Sequence, residues 1–260
     1  MKDFNQVYIS RAVGHFGENY RKKWELQNYN NINSPSIFFG LYFQEDIQTM
    51  INHKGPKVIT WGGNDMHPQQ LNTVKQLLNK QEIYNWAYPG EFSNVLTSYD
   101  IPHKKLYIPF KSYSDFTPTP LGENIYVYKG IYGDRPDHYK WNDIIKPLQQ
   151  VFGEDRVIFS NHLPIEELIE KYYKNCFVYI KPNSKGGCTT MFELAHMGIR
   201  TLGKGNEDLD LFTEYKNLDH LLELIMEESK YIGKTRNDIS KSTKEIFTGD
   251  EWLNLNFWKK

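Results

Sequence analysis

Residues 181–198, KPNSKGGCTTMFELAHMG, hold the types and spacing best suited to gripping an anion. Gly186 and Gly187 lack a Cβ, so the backbone there can approach a ligand closely. Thr189 and Thr190 follow where a helix is expected to begin. Unpaired N–H groups and the helix dipole make that point a seat for a diphosphate. Glu193, one turn on, is placed to accept hydrogen bonds from two vicinal ribose hydroxyls. A second reading fits the same residues. Thr190-x-x-Glu193 is also a capping-box pattern, in which the glutamate returns to the N-cap backbone and holds no ligand. The loop matches neither the Walker pattern nor G-x-G-x-x-G. Cys188, beside it, has no identifiable His partner and reads as a small packing residue.

Cations that could face the same anion lie upstream. In GIYGDRPDHYK, Arg135 and Lys140 stand five residues apart after a β-prone run. They could balance the charge on a departing phosphate, or they could belong to a solvated loop shared with Asp134 and Asp137. Two candidates for moving a proton lie near the N-terminus. His15, in Gly14-His15-Phe16-Gly17, is suited to general-base work near neutral pH, although a lone histidine in a loop is more often unremarkable. Asp65 closes Gly62-Gly63-Asn64-Asp65. It is a base, an acceptor ligand, or a turn residue bonding its own backbone. His67 is a weaker candidate. The eight histidines are scattered without a His-Glu-x-x-His pattern, and Glu193-x-x-His196 lacks a second copy. No Gly-x-Ser-x-Gly elbow is present. No metal ligand is assigned.

The elements that must position these residues alternate between strand and helix. Before residue 111, strands are expected at 7–10, 37–42, 57–61 and 106–109, with helices at 45–53 and 70–79. Residues 111–122, KSYSDFTPTPLG, read as a linker. Beyond it, strands are expected at 125–128, 156–160, 177–180 and 201–202. Helices are expected at 141–151, kinked by Pro147, then from Ile165 to Tyr173, at 191–197, and after a cap at Asp219. The aromatic tail 252–258 is expected to pack on a domain surface. Such alternation implies α/β architecture with parallel sheets, and ligands beyond the carboxyl ends of the strands. The expected division is 1–115 and 116–260.

The second half resembles the donor-binding domain of GT-B glycosyltransferases, especially family 4-type enzymes. The order of elements in RVIFSNHLPIEELIEKYYKNCFVYIKPNS, the GG-x-T-T-x-x-E-x-x-x-x-G run and the Arg135/Lys140 pair carry the resemblance, which spans roughly 125–228. It implies two Rossmann-like domains facing a cleft, an acceptor side first and a nucleotide-sugar side second. It further implies that Arg135, Lys140, Gly186, Gly187, Thr189 and Thr190 hold the diphosphate and Glu193 the ribose. Leu163, in Asn161-His162-Leu163-Pro164, would meet the base. The sequence departs from the family in three places. Lys185 stands where many retaining members have a glutamate, Trp141 follows Lys140 in place of Gly, and Asp134 precedes Arg135. GG-x-T-T also resembles the loop of inverting enzymes that use UDP-sugars, so retention and inversion both stay open.

Composition bounds the rest. At 260 residues, 39% hydrophobic and 15% aromatic, the chain has material for packed cores and does not read as disordered. Its 31 Lys and Arg against 32 Asp and Glu exclude nucleic-acid binding through a global positive field. Two cysteines make no disulfide framework, and a reducing compartment fits. The first 25 residues lack an apolar signal core. The expectation is a cytoplasmic glycosyltransferase without a transmembrane segment, with peripheral membrane contact left open. It would move a sugar from a nucleotide diphosphate sugar to a carbohydrate or other hydroxyl, with no cofactor beyond that donor and no metal. Three alternatives remain: a noncatalytic nucleotide-sugar-binding subunit, a nucleotide-sugar epimerase, and a structural α/β protein.

Overall fold

The computed structural model describes residues 2–130, 140–182, 188–204 and 211–259. The chain divides into two compact units, Met1–Ser112 with Phe247–Lys260, and Tyr113–Ile246. The sequence division at 115/116 counted the C-terminal segment with the second domain, whereas here it clusters with the first unit.

The first unit runs β1 (Gln6–Ile9), α1 (Gly14–Lys23), β2 (Gln27–Asn28), β3 (Ser36–Phe39), α2 (Gln44–Asn52), β4 (Lys57–Trp61), α3 (Pro68–Leu77), β5 (Ile83–Ala87), α4 (Glu91–Ser98) and β6 (Lys104–Lys105). Its strands form one parallel sheet in the order β2-β1-β3-β4-β5-β6. Every residue of β3 and β4 is buried, as expected of central parallel strands covered on both faces. Ile37 pairs with Val58, and Phe38 with Ile59. Even Lys57 of β4 is fully buried. Its Nζ donates to the carbonyls of Met50 (3.1 Å) and His53 (2.6 Å) and to Gln81 Oε1 (2.6 Å), which satisfies the carboxyl end of α2.

The second unit runs β7 (Asn124–Gly130), α5 (Lys146–Phe152), β8 (Val157–Asn161), α6 (Ile165–Lys171), β9 (Cys176–Lys181), α7 (Cys188–His196), β10 (Arg200–Gly203), β11 (Phe212–Glu214), α8 (Leu218–Ser229) and α9 (Asn237–Ile246). Its parallel sheet has the order β11-β10-β9-β7-β8. The last helix, α10 (Leu255–Trp258), belongs to the first unit. There Trp252 is fully buried, with ring centroids 5.3 Å from Trp24 and 5.8 Å from Tyr20.

Several local expectations are corrected. The Gly14–Gly17 loop is the first turn of α1, and Gly17 sits there because a Cβ would lie 2.2 Å from Ile9 Cγ2. The 106–109 strand is replaced by the two-residue β6. Residues 111–122 are no solvated linker. Tyr113, Phe116 and Leu121 are buried, and Leu121 exchanges backbone hydrogen bonds with Lys234 and Gly233. The helix expected over 141–151 changes its winding just ahead of Pro147, which lies in the first turn of α5. A π-helical turn, Trp141–Ile145, leads into it. Asn217 caps α8 in place of Asp219, accepting the His220 N–H at 2.9 Å.

Candidate functional site

In the second unit the chain lays down β7, places β8 on one side of it, and then crosses to β9 on the other. This is the 2-1-3-4-5 order of doubly wound sheets, whose switch point lies between the first and third strands, here β7 and β9. In doubly wound sheets ligands bind beyond the carboxyl ends of the strands at such a point. The segment after β7 ends at Lys140, and the one after β9 ends at the start of α7. Lys140 and the start of α7, which carries Thr189 and Thr190, thus follow in sequence the two strands that flank the switch point.

Lys140 is exposed and holds a left-handed backbone conformation, φ 52°, as it enters the π-helical turn. Such a conformation is unfavourable for a residue with a Cβ. Near it the end of β7 is irregular: Tyr128 pairs with Ser160 and Gly130 with Asn161, leaving Lys129 as an extra residue in the ladder. Its ammonium lies 4.3 Å from the Phe159 ring centroid and 5.0 Å from that of Trp141.

Thr189 is half-buried, and Thr190 and Glu193 are buried, in α7. Because α7 begins at Cys188, Thr190 is its third residue and Glu193 its sixth. A capping box needs the threonine ahead of the helix, so that reading fails here. Glu193 has another partner. Tyr173 Oη donates to Glu193 Oε2 at 2.7 Å, and burial together with the Glu193 charge holds the Tyr173 phenol well above its ordinary range. Burial and the same carboxylate also raise Tyr128, at the carboxyl end of β7. Tyr128 Oη lies 3.3 Å from His162 Nδ1, and the half-buried Leu163 follows. Tyr128 therefore reaches from the Glu193 neighbourhood to the loop after β8.

Sequence reasoning missed Tyr173 and Tyr128. Tyr173 was counted on the apolar face of a helix, but α6 ends at Lys171 and Tyr173 opens a separate 3-10 turn. Arg135, Gly186 and Gly187 lie outside the described residues, as does Asp208-Leu209-Asp210, an Asp-x-Asp pair in the sequence. Among the described residues no group of three or more His, Cys, Asp or Glu is placed to hold a metal ion. Among them, no helix is long and apolar enough to cross a membrane.

The first unit has its own switch point, between β1 and β3. His15 is exposed on the first turn of α1, after β1, and its ring stands edge-on to Phe16. Asp65 follows β4. The strand β3 lies between β1 and β4 in the sheet. Asp65 is fully buried. Its Oδ1 accepts the N–H groups of Gly62 (3.3 Å) and Gly63 (3.0 Å), while Oδ2 has no hydrogen-bond partner among the described residues. Burial pushes its carboxyl up to about 6, against the pull of the backbone N–H groups of Gly62, Gly63, Leu41 and Asp65 itself. Gly63 takes φ +153°, and Gly40, φ +84°, lies under the Tyr42 ring, 2.5 Å from where a Cβ would stand. Asp46, also buried, ties this edge together by accepting from Tyr8 Oη (2.8 Å), Ser10 Oγ (2.7 Å) and the Phe43 N–H (2.8 Å). The turn reading of Asp65 is therefore realised in its hydrogen bonds, and one oxygen remains uncommitted by them.

No family model matches the chain, and no curated protein matches it in sequence. In structure it is similar to a sucrose-phosphate synthase from Thermosynechococcus elongatus, with a TM-score of 0.58 and 13% identity over 97% of this chain and 79% of that one. At that identity the likeness speaks for the fold: two Rossmann-like domains of the GT-B glycosyltransferase type.

Proposed function

We propose that the chain is a glycosyltransferase that moves a sugar from a nucleoside diphosphate sugar to an acceptor hydroxyl. The second unit takes the donor and the first takes the acceptor. The observation that carries this reading is the placement of the β7/β9 switch point. The chain segments leaving those two strands are the ones that hold Arg135 with Lys140, and Gly186 through Glu193. In the proposal Arg135, Lys140, Gly186, Gly187 and the amino end of α7 take the diphosphate, with Thr189 and Thr190 beside it. Glu193 takes the ribose hydroxyls, and Leu163 meets the base. Two cations and oriented N–H groups suit a leaving group that gains negative charge as its glycosidic bond breaks. Asp65 or His15 would accept the acceptor proton. The resemblance to family 4-type enzymes supports this assignment of roles and leaves the stereochemical outcome open.

The test is calorimetry of the full chain with UDP, GDP, ADP and dTDP, alongside Glu193→Ala. Micromolar binding of one nucleotide, weakened by about 1.5–3 kcal/mol in the variant, supports the reading. Absence of binding, or binding indifferent to Glu193, sinks it. Because the cations take the role of a metal in this proposal, transfer should persist in EDTA. Loss of activity there would instead direct attention to Asp208 and Asp210.

A further inference from the structure

We propose that Tyr173 is a positioning residue that fixes the Glu193 carboxylate for the ribose hydroxyls of the donor. The inference rests on the donor reading above and adds to it a residue outside the binding loop. Tyr173 is fully buried, and its hydroxyl donates to Glu193 Oε2 at 2.7 Å. The phenol is itself held on several sides. Its ring meets Tyr126 nearly edge-on, with centroids 5.5 Å apart and planes at 65°. Tyr126 shares a 2.7 Å hydrogen bond with Ser160 Oγ of β8. The Tyr173 carbonyl accepts from Cys176 Sγ at 3.4 Å, where β9 begins. A line of contacts thus runs from β8 through β7 and the turn before β9 to the second turn of α7.

Core packing alone does not account for this arrangement. A phenylalanine would fill the same volume, and a buried carboxylate facing a buried hydroxyl is no more stable than an apolar pair of similar size. A glutamate that must accept from two vicinal hydroxyls has three side-chain torsions to fix. Hydrogen-bonding it on folding removes that cost from the binding step. A binding carboxylate built on a helix and braced by a second residue from elsewhere in the unit is held more closely than one braced by nothing.

The experiment compares the tightest-binding nucleotide of the panel with its 2′,3′-dideoxy counterpart, by calorimetry on the full chain. Wild type should prefer the ribonucleotide. Tyr173→Phe should lose about tenfold in affinity for the ribonucleotide and less than about twofold for the dideoxy form. In a Glu193→Ala background the Tyr173→Phe change should have no further effect. Equal losses for both nucleotides, or none, overturn the positioning role, since a general packing defect would not distinguish them. If wild type binds neither nucleotide, or binds both alike, the donor reading itself fails and takes this inference with it. A melting curve accompanies each variant. Should Tyr173→Phe not fold, Tyr173→Met serves in its place, because it fills the site with an apolar side chain and leaves Glu193 itself unchanged. It should lose the same ribose preference, and its keeping that preference overturns the inference.

Discussion

Asp65 Oδ1 accepts the backbone N–H of Gly63 at 3.0 Å, while the other oxygen of the same buried carboxylate has no hydrogen-bond partner among the described residues. The turn after β4 is therefore built around a charge that burial opposes. Its carboxyl is raised from 3.8 to about 6 in the folded chain. A raised carboxyl binds more protons folded than unfolded between those values, so its contribution is fully present below about pH 4 and is lost as pH rises through 6. The difference amounts to about 3 kcal/mol. Asp65→Asn keeps an acceptor for the two glycines and cannot ionise. Subtracting its urea-unfolding free energies from those of wild type, at pH 4 and pH 8, should recover that slope. Equal slopes would show that the group is not burdened as described. If Asp65 is the base, the same variant loses transfer while gaining stability at pH 8.

Gly62 and Gly122 should respond oppositely to the same substitution. A Cβ on Gly62 meets nothing within 4 Å, whereas one on Gly122 would stand 2.1 Å from the carbonyl carbon of Asn175. Gly62→Ala should leave stability within about 0.5 kcal/mol of wild type, and Gly122→Ala should cost about 3 kcal/mol. Urea midpoints measure both.

Arg236 bridges two carboxylates that should differ sharply in worth. It reaches Glu228 and Asp238 at 2.8 Å each; Glu228 is buried and also meets Arg200 at 2.9 Å, whereas the Asp238 side chain is 65% exposed. Burial holds the Glu228 carboxyl above its ordinary value even with two arginines beside it. Glu228→Leu removes the buried carboxylate that two guanidinium groups share and should cost about 3–5 kcal/mol, against less than about 1 kcal/mol for Asp238→Ala. Equal losses in denaturant unfolding would contradict the burial argument.

Lys140 offers a separation of binding from stability. Its φ of 52° is costly with a Cβ and free for glycine. Lys140→Gly should therefore raise stability by up to about 1 kcal/mol, while removing a diphosphate contact should weaken nucleotide binding about tenfold. A melting curve and a binding isotherm on one sample decide both.

The α/β architecture was legible because the strands that build it are continuous apolar runs. Residues 57–61 and 177–180 fall inside β4 and β9. The strand β5, IYNWA, escaped because Asn85 and Trp86 look out of place in a core. They are accommodated by pairing: Asn85 Oδ1 takes the Trp61 indole N–H at 3.0 Å, its amide donates to Pro102, and Trp86 donates to Leu106. Helix α9, NDISKSTKEI, was missed because it turns Ser240 and Thr243 inward with Ile239, an inner face that hydrophobic periodicity does not detect. At the candidate site, spacing singled out Glu193 through its neighbour Thr190. Its hydrogen-bond partner Tyr173 lies twenty positions away, and only the placement of β9 and α7 brings the two together. Local pattern registers what one turn of helix can reach, and tertiary partners fall outside it.

The C-terminal segment has a consequence for synthesis. Trp252 and Leu253 are fully buried, and the Leu253 carbonyl takes the backbone N–H groups of Asp3 and Phe4. The first unit thus joins residues near both ends of the sequence, with all of residues 113–246 made between them. A ribosome delivers its sheet early and the tryptophan that completes its core last. The second unit, contiguous in sequence, is free to fold while the first still waits with an open seam beside Tyr20 and Trp24.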